Sequence, residues 1–350
     1  MTKKYHPKRK KRTAARYVAA LLLLAAAAFV LYRVTVAALP LNGTEPTSGT
    51  ASLVSQEKSQ PESSDPVSQV AVKPQSSPQA STSNPQTLPV PEAVSSPNLI
   101  LMRLSDQAIL MEEGTEEKIY PASLTKMMTA LVAIEQMPDL EERVLLPASL
   151  FEPLREENAS VAGFMEDERV RAKDLLYGVL LPSGAECCVG LAQHIAGDEE
   201  AFVALMNQKA AELGMKNTHF TNTTGLHDPN HYTTVKDLAL LLEYALRNET
   251  FRDAFTTERY STAATNKHPD GITFYSTMFQ GLEAVELRNG EFLGGKTGFT
   301  DEAGLCLASL AKLEDDEYIL ITVGAEGNHQ TEPYHLEDAV TVYNSLGNVT

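Results

Sequence analysis

The feature that most constrains this chain is a change of texture that occurs twice. Beginning at Asn98, two apolar-rich stretches, NLILMRL and QAILMEE, flank a Ser-Asp turn and predict a strand hairpin. From Ser123 the apolar residues recur at helical spacing to about Gln136. They do so again in RAKDLLYGVLL, AECCVGLAQHIAG and EEAFVALMNQKAAELG, the last closed by Gly214. TTVKDLALLLEYALRN adds another helix, with Thr233 or Thr234 as its cap. After Thr257 strands return in GITFYSTMF, EFLGGKTG, GLCLASLAK and EYILITVGA, and a helix, EDAVTVYNSL, follows. Strands on both sides of a helical block predict an α+β domain over residues 98–350, whose antiparallel sheet is built from both ends and flanked by the helices.

What precedes that domain is of a different kind. Residues 41–97 hold 13 Ser and nine Pro with few aliphatics, too little apolar surface to offset the entropy of ordering, and read as a disordered linker. As a flexible coil it would span about 40 Å. Residues 1–16 form a basic tail with seven Lys/Arg between Lys3 and Arg12. Residues 17–40 are apolar apart from Arg33, long enough for a transmembrane signal anchor whose basic flank stays in the cytoplasm. Val36-Ala37-Ala38 leaves a cleaved signal peptide as the other reading. Both put the body outside the cytoplasmic membrane.

Charge narrows the function. The first 40 residues carry nine of the 29 Lys+Arg and no acid, so the remainder balances 20 basic residues against 46 acidic ones. An acidic body without a basic patch does not suit nucleic-acid binding, which depends on neutralising phosphates. Cys187, Cys188 and Cys306, an odd number with two adjacent, do not form a disulfide framework and read as small buried residues. No stretch has the spacing of a zinc site, and no cofactor is expected.

The chemistry concentrates at SLTK, Ser123 to Lys126. A serine hydroxyl becomes a nucleophile only when a base takes its proton, and residues three apart on a helix share a face. Burial would favour the neutral lysine that such a base requires. Two other S-x-x-K matches lack this geometry: Ser55 to Lys58 lies in the linker, and Ser309 to Lys312 falls on opposite faces of an expected strand. Two further motifs follow in order. LLPSGAEC places Ser183-Gly184 at a helix start, and GGKTGFT supplies Lys296-Thr297-Gly298 where glycines let the backbone pass close to a neighbour.

These three motifs in this order resemble the penicillin-interacting serine enzymes. Over roughly Asn98 onward, YPASLTKMMTALVA, LLYGVLLPSG, LAQHIAG, HFTNTTGLHDPNHYTTVKDLALL and GGKTGFTDEAG are most similar to the serine-type D-alanyl-D-alanine carboxypeptidases, the low-molecular-weight penicillin-binding proteins. The resemblance implies a β-lactamase/DD-peptidase-like fold and removal of the terminal D-alanine from peptidoglycan stem peptides through an acyl-enzyme. It implies catalytic roles for Ser123 as nucleophile, Lys126 as its base and Ser183 as a proton relay. Lys296, Thr297, Gly298 and Phe299 become the substrate-binding strand, with Lys296 and Thr297 on the substrate carboxylate and the N–H groups of Ser123 and Phe299 as oxyanion donors. It also implies peptides ending in D-Ala-D-Ala as substrates, β-lactams as covalent inhibitors, and a bacterial cell-membrane location.

One departure stands out. The family's second motif usually ends in Asn, and here that position is Ala185. A slowed enzyme, compensation by a neighbour such as Glu186, and a peptidoglycan-binding pseudoenzyme all remain open. A class A β-lactamase would need a deacylating E-x-x-L-N motif after Ser183, which the chain lacks. A metallopeptidase built on His227 and His231 is opposed by Pro229, which breaks the helix such a pair would need.

Overall fold

A computed structural model describes residues 87–282, 287–328 and 330–346. The basic tail, the apolar segment and linker residues 41–86 lie outside the described residues. Strands and helices are numbered in chain order. Strands β1 (Asn98–Arg103) and β2 (Ile109–Glu113) form the expected hairpin. Two small two-stranded ribbons pair β3 (Arg143–Leu146) with β4 (Glu168–Arg171), and β5 (Arg259–Ser261) with β6 (Thr273–Tyr275). Strands β7 (Gly290–Thr300), β8 (Gly304–Leu313) and β9 (Asp316–Ala325) complete a five-stranded antiparallel sheet of order β2-β1-β9-β8-β7. The sheet does unite both ends of the domain: Leu99 of β1 lies opposite Thr322 of β9.

Side chains on these strands alternate between two cores, as the pleat requires. Ile100, Met102, Ala308, Leu310, Ile319 and Ile321 face the helical block. Leu99, Leu101, Leu307, Ala311 and Leu320 face α9 (Tyr334–Leu346), which answers with Leu336, Ala339, Val342 and Tyr343. Each fully buried leucine or isoleucine contributes about 1.5–3 kcal/mol over leaving it exposed. At the centre of the helical block runs α1 (Thr125–Gln136), whose residues from Thr125 to Ala133 are all buried. It stops where Met137 precedes Pro138, a position that disfavours helical backbone.

Around α1 stand α3 (Ala172–Leu180), α4 (Ala185–Ala196), α5 (Glu199–Leu213) and α6 (Val235–Ala245). The Asp198 side chain caps α5 by accepting from the Ala201 N–H, and Gly214 ends it in the left-handed region, φ 77°. Thr234, the second of the two cap candidates, accepts from the Asp237 N–H.

Four local features differ from the sequence expectations. Residues 87–97, assigned to the linker on composition, belong to the packed body: Leu88, Val90 and Val94 lie against the outer core, and the Ser95 and Ser96 N–H groups bond the buried Asp338 carboxylate at 2.7 and 2.9 Å. Their few aliphatics are enough because α9 and the hairpin supply the remaining surface. The region 139–164, in which no strand or helix was expected, contains β3 and α2 (Phe151–Glu156). GITFYSTMF is a strand only at β6 and then turns into α8 (Thr277–Gly281). Helix α7 (Glu249–Phe255) gave no periodic signal because it spans two turns.

Candidate active site

Pro121 leads into a single 3-10 turn, Ala122–Leu124, that opens directly into α1. Ala122 sits at φ 46°, a conformation costly for a residue with a Cβ and held here by its surroundings. One of those surroundings is Gly225, φ 81°, where an added Cβ would lie 1.8 Å from the Ala122 carbonyl oxygen. A second is His231, buried beneath the helix start. Its Nδ1 accepts from the Thr221 N–H at 3.1 Å, so Nε2 carries the proton and donates to Thr125 Oγ1 at 2.8 Å. Burial pulls the His231 pKa down to about 4, keeping the ring neutral in this role.

The turn presents Ser123, and α1 places Lys126 beside it. Lys126 Nζ lies 3.0 Å from Ser123 Oγ and donates to the Thr224 carbonyl at 2.6 Å. The side chain is only 2% exposed. Burial lowers its pKa, against a smaller opposing pull from Cys188, Glu186 and Cys187. The amine is thus held between the Thr224 carbonyl and the Ser123 hydroxyl. The competing Ser309 to Lys312 match has the geometry expected of a strand, with Ser309 fully buried and Lys312 exposed.

The second motif lies in the turn between α3 and α4. Ser183 adopts φ 65°, another left-handed residue with a side chain, and its buried Oγ has no hydrogen-bond partner among the described residues. A buried hydroxyl left unpaired in the hollow it shares with the half-buried Ser123 is suited to a ligand that supplies the partner. Ala185 begins α4, lines the cleft with Lys126, and donates its N–H to the Ser160 carbonyl at 2.8 Å. Glu186, the neighbour next to it, commits one carboxylate oxygen elsewhere, while its buried Oε2 has no hydrogen-bond partner among the described residues. Its Oε1 accepts from the N–H groups of Ala162, Gly163 and Phe164 at 2.7, 2.9 and 3.3 Å, tying down the rim loop that Ser160 enters. Burial raises the Glu186 pKa in spite of those three donors.

The third motif runs along β7, an edge strand of the sheet whose free side adjoins the Ser123 turn. Gly298 makes that approach possible: a Cβ there would stand 3.0 Å from the Ser123 backbone nitrogen and 3.2 Å from the Ala122 Cβ. Thr297, Gly298 and Phe299 line the cleft. Lys296 does not share that exposure. It is fully buried, donates to the Thr297 carbonyl at 2.7 Å, and has its pKa lowered well below the ordinary lysine value by burial, then by the neighbouring Lys126. It lies on the Lys126 side of the sheet, opposite Ala308, whose side chain faces the helical block.

Ser123 stands where two hollows meet. One, of about 260 Å³, extends past Ser183, Thr277 and Thr297 towards the start of α9. The other, of about 340 Å³, holds Lys126, Ala185, Thr224, Gly225 and the loop 157–160. Three lining residues escaped sequence reasoning. Thr277 Oγ1 lies 2.6 Å from Thr297 Oγ1, but its short helix was hidden by an expected strand. Asn158 and Ser160 fall in a stretch with no periodicity to single them out. His227 and His231 form no shared metal pair: His227 meets the Tyr120 ring edge-on and Glu302 at 3.6 Å, while His231 is committed to Thr125.

Residues 82–327 match the D-alanyl-D-alanine carboxypeptidase family. The D-alanyl-D-alanine carboxypeptidase DacF of Bacillus subtilis is 32% identical over 240 residues, covering 65% of this chain and 56% of that protein. A D-alanyl-D-alanine endopeptidase of Pseudomonas aeruginosa is 29% identical over 257 residues, 72% of this chain and 77% of that one. The chain spans a little over half the length of the first curated relatives it matches. Among solved structures, the Streptomyces K15 DD-transpeptidase superposes with a TM-score of 0.64 at 26% identity, covering 72% of this chain and 98% of the other.

Proposed function

Because this chain belongs to the D-alanyl-D-alanine carboxypeptidase family, we propose that it is a serine peptidase that removes the last residue from peptides ending in D-Ala-D-Ala. Ser123 Oγ attacks the carbonyl carbon between the two D-alanines as its proton passes to neutral Lys126. The backbone N–H groups of Ser123 and Phe299 receive the developing oxyanion. Ser183, with its unpaired hydroxyl, carries the proton on to the departing amine. D-alanine leaves, an ester to Ser123 remains, and water attacks that ester with Lys126 again as base.

The substrate's free carboxylate meets the Thr297 hydroxyl, held by Thr277. Lys296, on the same strand and bonded to the Thr297 carbonyl, joins it in drawing that carboxylate in. β-Lactams would acylate Ser123 by the same attack. The basic tail and apolar segment would anchor the chain in the cytoplasmic membrane and leave the catalytic body facing peptidoglycan.

The observation that carries this reading is the buried Lys126 amine 3.0 Å from Ser123 Oγ. D-alanine release from a D-Ala-D-Ala peptide tests it, comparing the wild type with Ser123→Ala. Release that disappears with the hydroxyl establishes the carboxypeptidase. A wild type that binds the peptide and leaves it intact would mark a binding protein instead.

A further inference from the structure

The cleft lacks a carboxamide at the second motif, yet an exposed asparagine from another element lines the same hollow. We propose that Asn158 supplies to the bound peptide the amide contact that Ala185 cannot make. This rests on the peptidase reading above.

Asn158 lines the hollow that also contains Ser123, Lys126 and Ala185. Among the described residues lining that hollow it is the sole carboxamide; the others offer hydroxyls, carboxylates, the Lys126 amine or apolar groups. A peptide laid across Ser123 brings backbone N–H and C=O groups out of water, and each left unpaired weakens binding. A carboxamide has a donor and an acceptor side by side, the complement of a peptide amide, which a lone hydroxyl or carboxylate does not reproduce. The Asn158 carboxamide makes no side-chain hydrogen bond among the described residues, so it is open to such a partner.

Placement supports the substitution of one position by another. Two residues after Asn158, the Ser160 carbonyl accepts from the N–H of Ala185 itself at 2.8 Å. The loop is fixed again by Glu186, which holds three successive N–H groups at Ala162 to Phe164. The segment carrying Asn158 is thus bonded directly to the motif position that lost its amide. Asn158 also serves the backbone. At φ 50° it ends α2, with its N–H on the Arg155 carbonyl at 3.2 Å, and asparagine is a common residue there.

The two roles separate experimentally, because glycine keeps the left-handed backbone and removes the amide. Acylation by a fluorescent penicillin and D-alanine release are measured for the full chain as wild type, Asn158→Gly, Ala185→Asn and the double variant, with thermal melting as a control. Asn158→Gly should melt as the wild type does while acylating about tenfold more slowly, the worth of one hydrogen bond in the transition state. Ala185→Asn in that background should restore the rate. If Asn158→Gly acylates at the wild-type rate, or Ala185→Asn restores nothing, Asn158 is a helix terminator alone and the peptidase reading stands. A wild type that neither acylates nor releases D-alanine overturns both.

Discussion

Gly225 and Ala122 touch so closely that the space for a methyl group between them does not exist: a Cβ on Gly225 would sit 1.8 Å from the Ala122 carbonyl oxygen and 2.4 Å from its carbon. Two positive φ values, 81° and 46°, meet at this contact, one residue before Ser123. The loop after Thr224 therefore holds the Ser123 turn against the cleft while the Thr224 carbonyl holds Lys126.

Gly225→Ala should displace the turn. We expect acylation by penicillin to fall about a hundredfold, the cost of moving a reacting group by about 1 Å. Overpacking and backbone strain should lower stability by about 1–3 kcal/mol. Stopped-flow acylation with a denaturant titration checks both, and an unchanged acylation rate would show that the turn does not depend on this contact.

The proposed base titrates in a known direction. Burial lowers the Lys126 pKa below 10.5, so the neutral amine forms at lower pH than for a free lysine. The rate of Ser123 acylation should rise with pH through that lowered value and level off before pH 10.5. Lys126→Arg keeps a cation that cannot deprotonate, and should abolish acylation at every pH. Residual activity in the arginine variant that still climbs with pH would assign the base elsewhere.

His231 makes the fold acid-sensitive. Its pKa is 6.5 when unfolded and about 4 when buried, so between those values the unfolded chain binds a proton that the folded chain refuses. Stability is unaffected above pH 6.5 and declines as pH falls towards 4, by about 3 kcal/mol in all. His231→Gln should flatten this part of the melting-temperature profile, even if it lowers stability at neutral pH. Parallel profiles for the two proteins would remove His231 as the cause.

Asp338 joins α9 to the segment before β1. Its buried carboxylate accepts from the N–H groups of Ser95 and Ser96 and from the Ser96 hydroxyl at 2.6 Å. Asp338→Ala leaves the Ser96 N–H and hydroxyl buried and unpaired, and should destabilise the chain by about 3 kcal/mol. Chemical denaturation measures the loss directly.

That pairing also marks where the sequence stopped being readable. Ser123 and Lys126 were legible because three positions on one helix face is local geometry, and β1, β2, β8 and β9 because a short apolar run is a local signal too. Ser95 and Ser96 looked like linker because their partner, Asp338, lies more than 240 residues away. Asn158 and Thr277 reach the cleft through a helix of six residues and another of five, too short to impose a period on the sequence. The burial of Lys296 escaped for a related reason. A Lys-Thr-Gly motif names the residues of an edge strand without saying how deeply its lysine is buried.

The pairing of β1 with β9 has a consequence for the chain's birth. Leu99 leaves the ribosome more than 200 residues before Thr322, its partner across the sheet. Until then the first hairpin has one open border, and β7, with the Lys-Thr-Gly motif, has not found its place beside Ser123. Contacts of such long sequence separation form slowly. Ser123, synthesised early, is thus kept from its completed cleft until the last strand arrives.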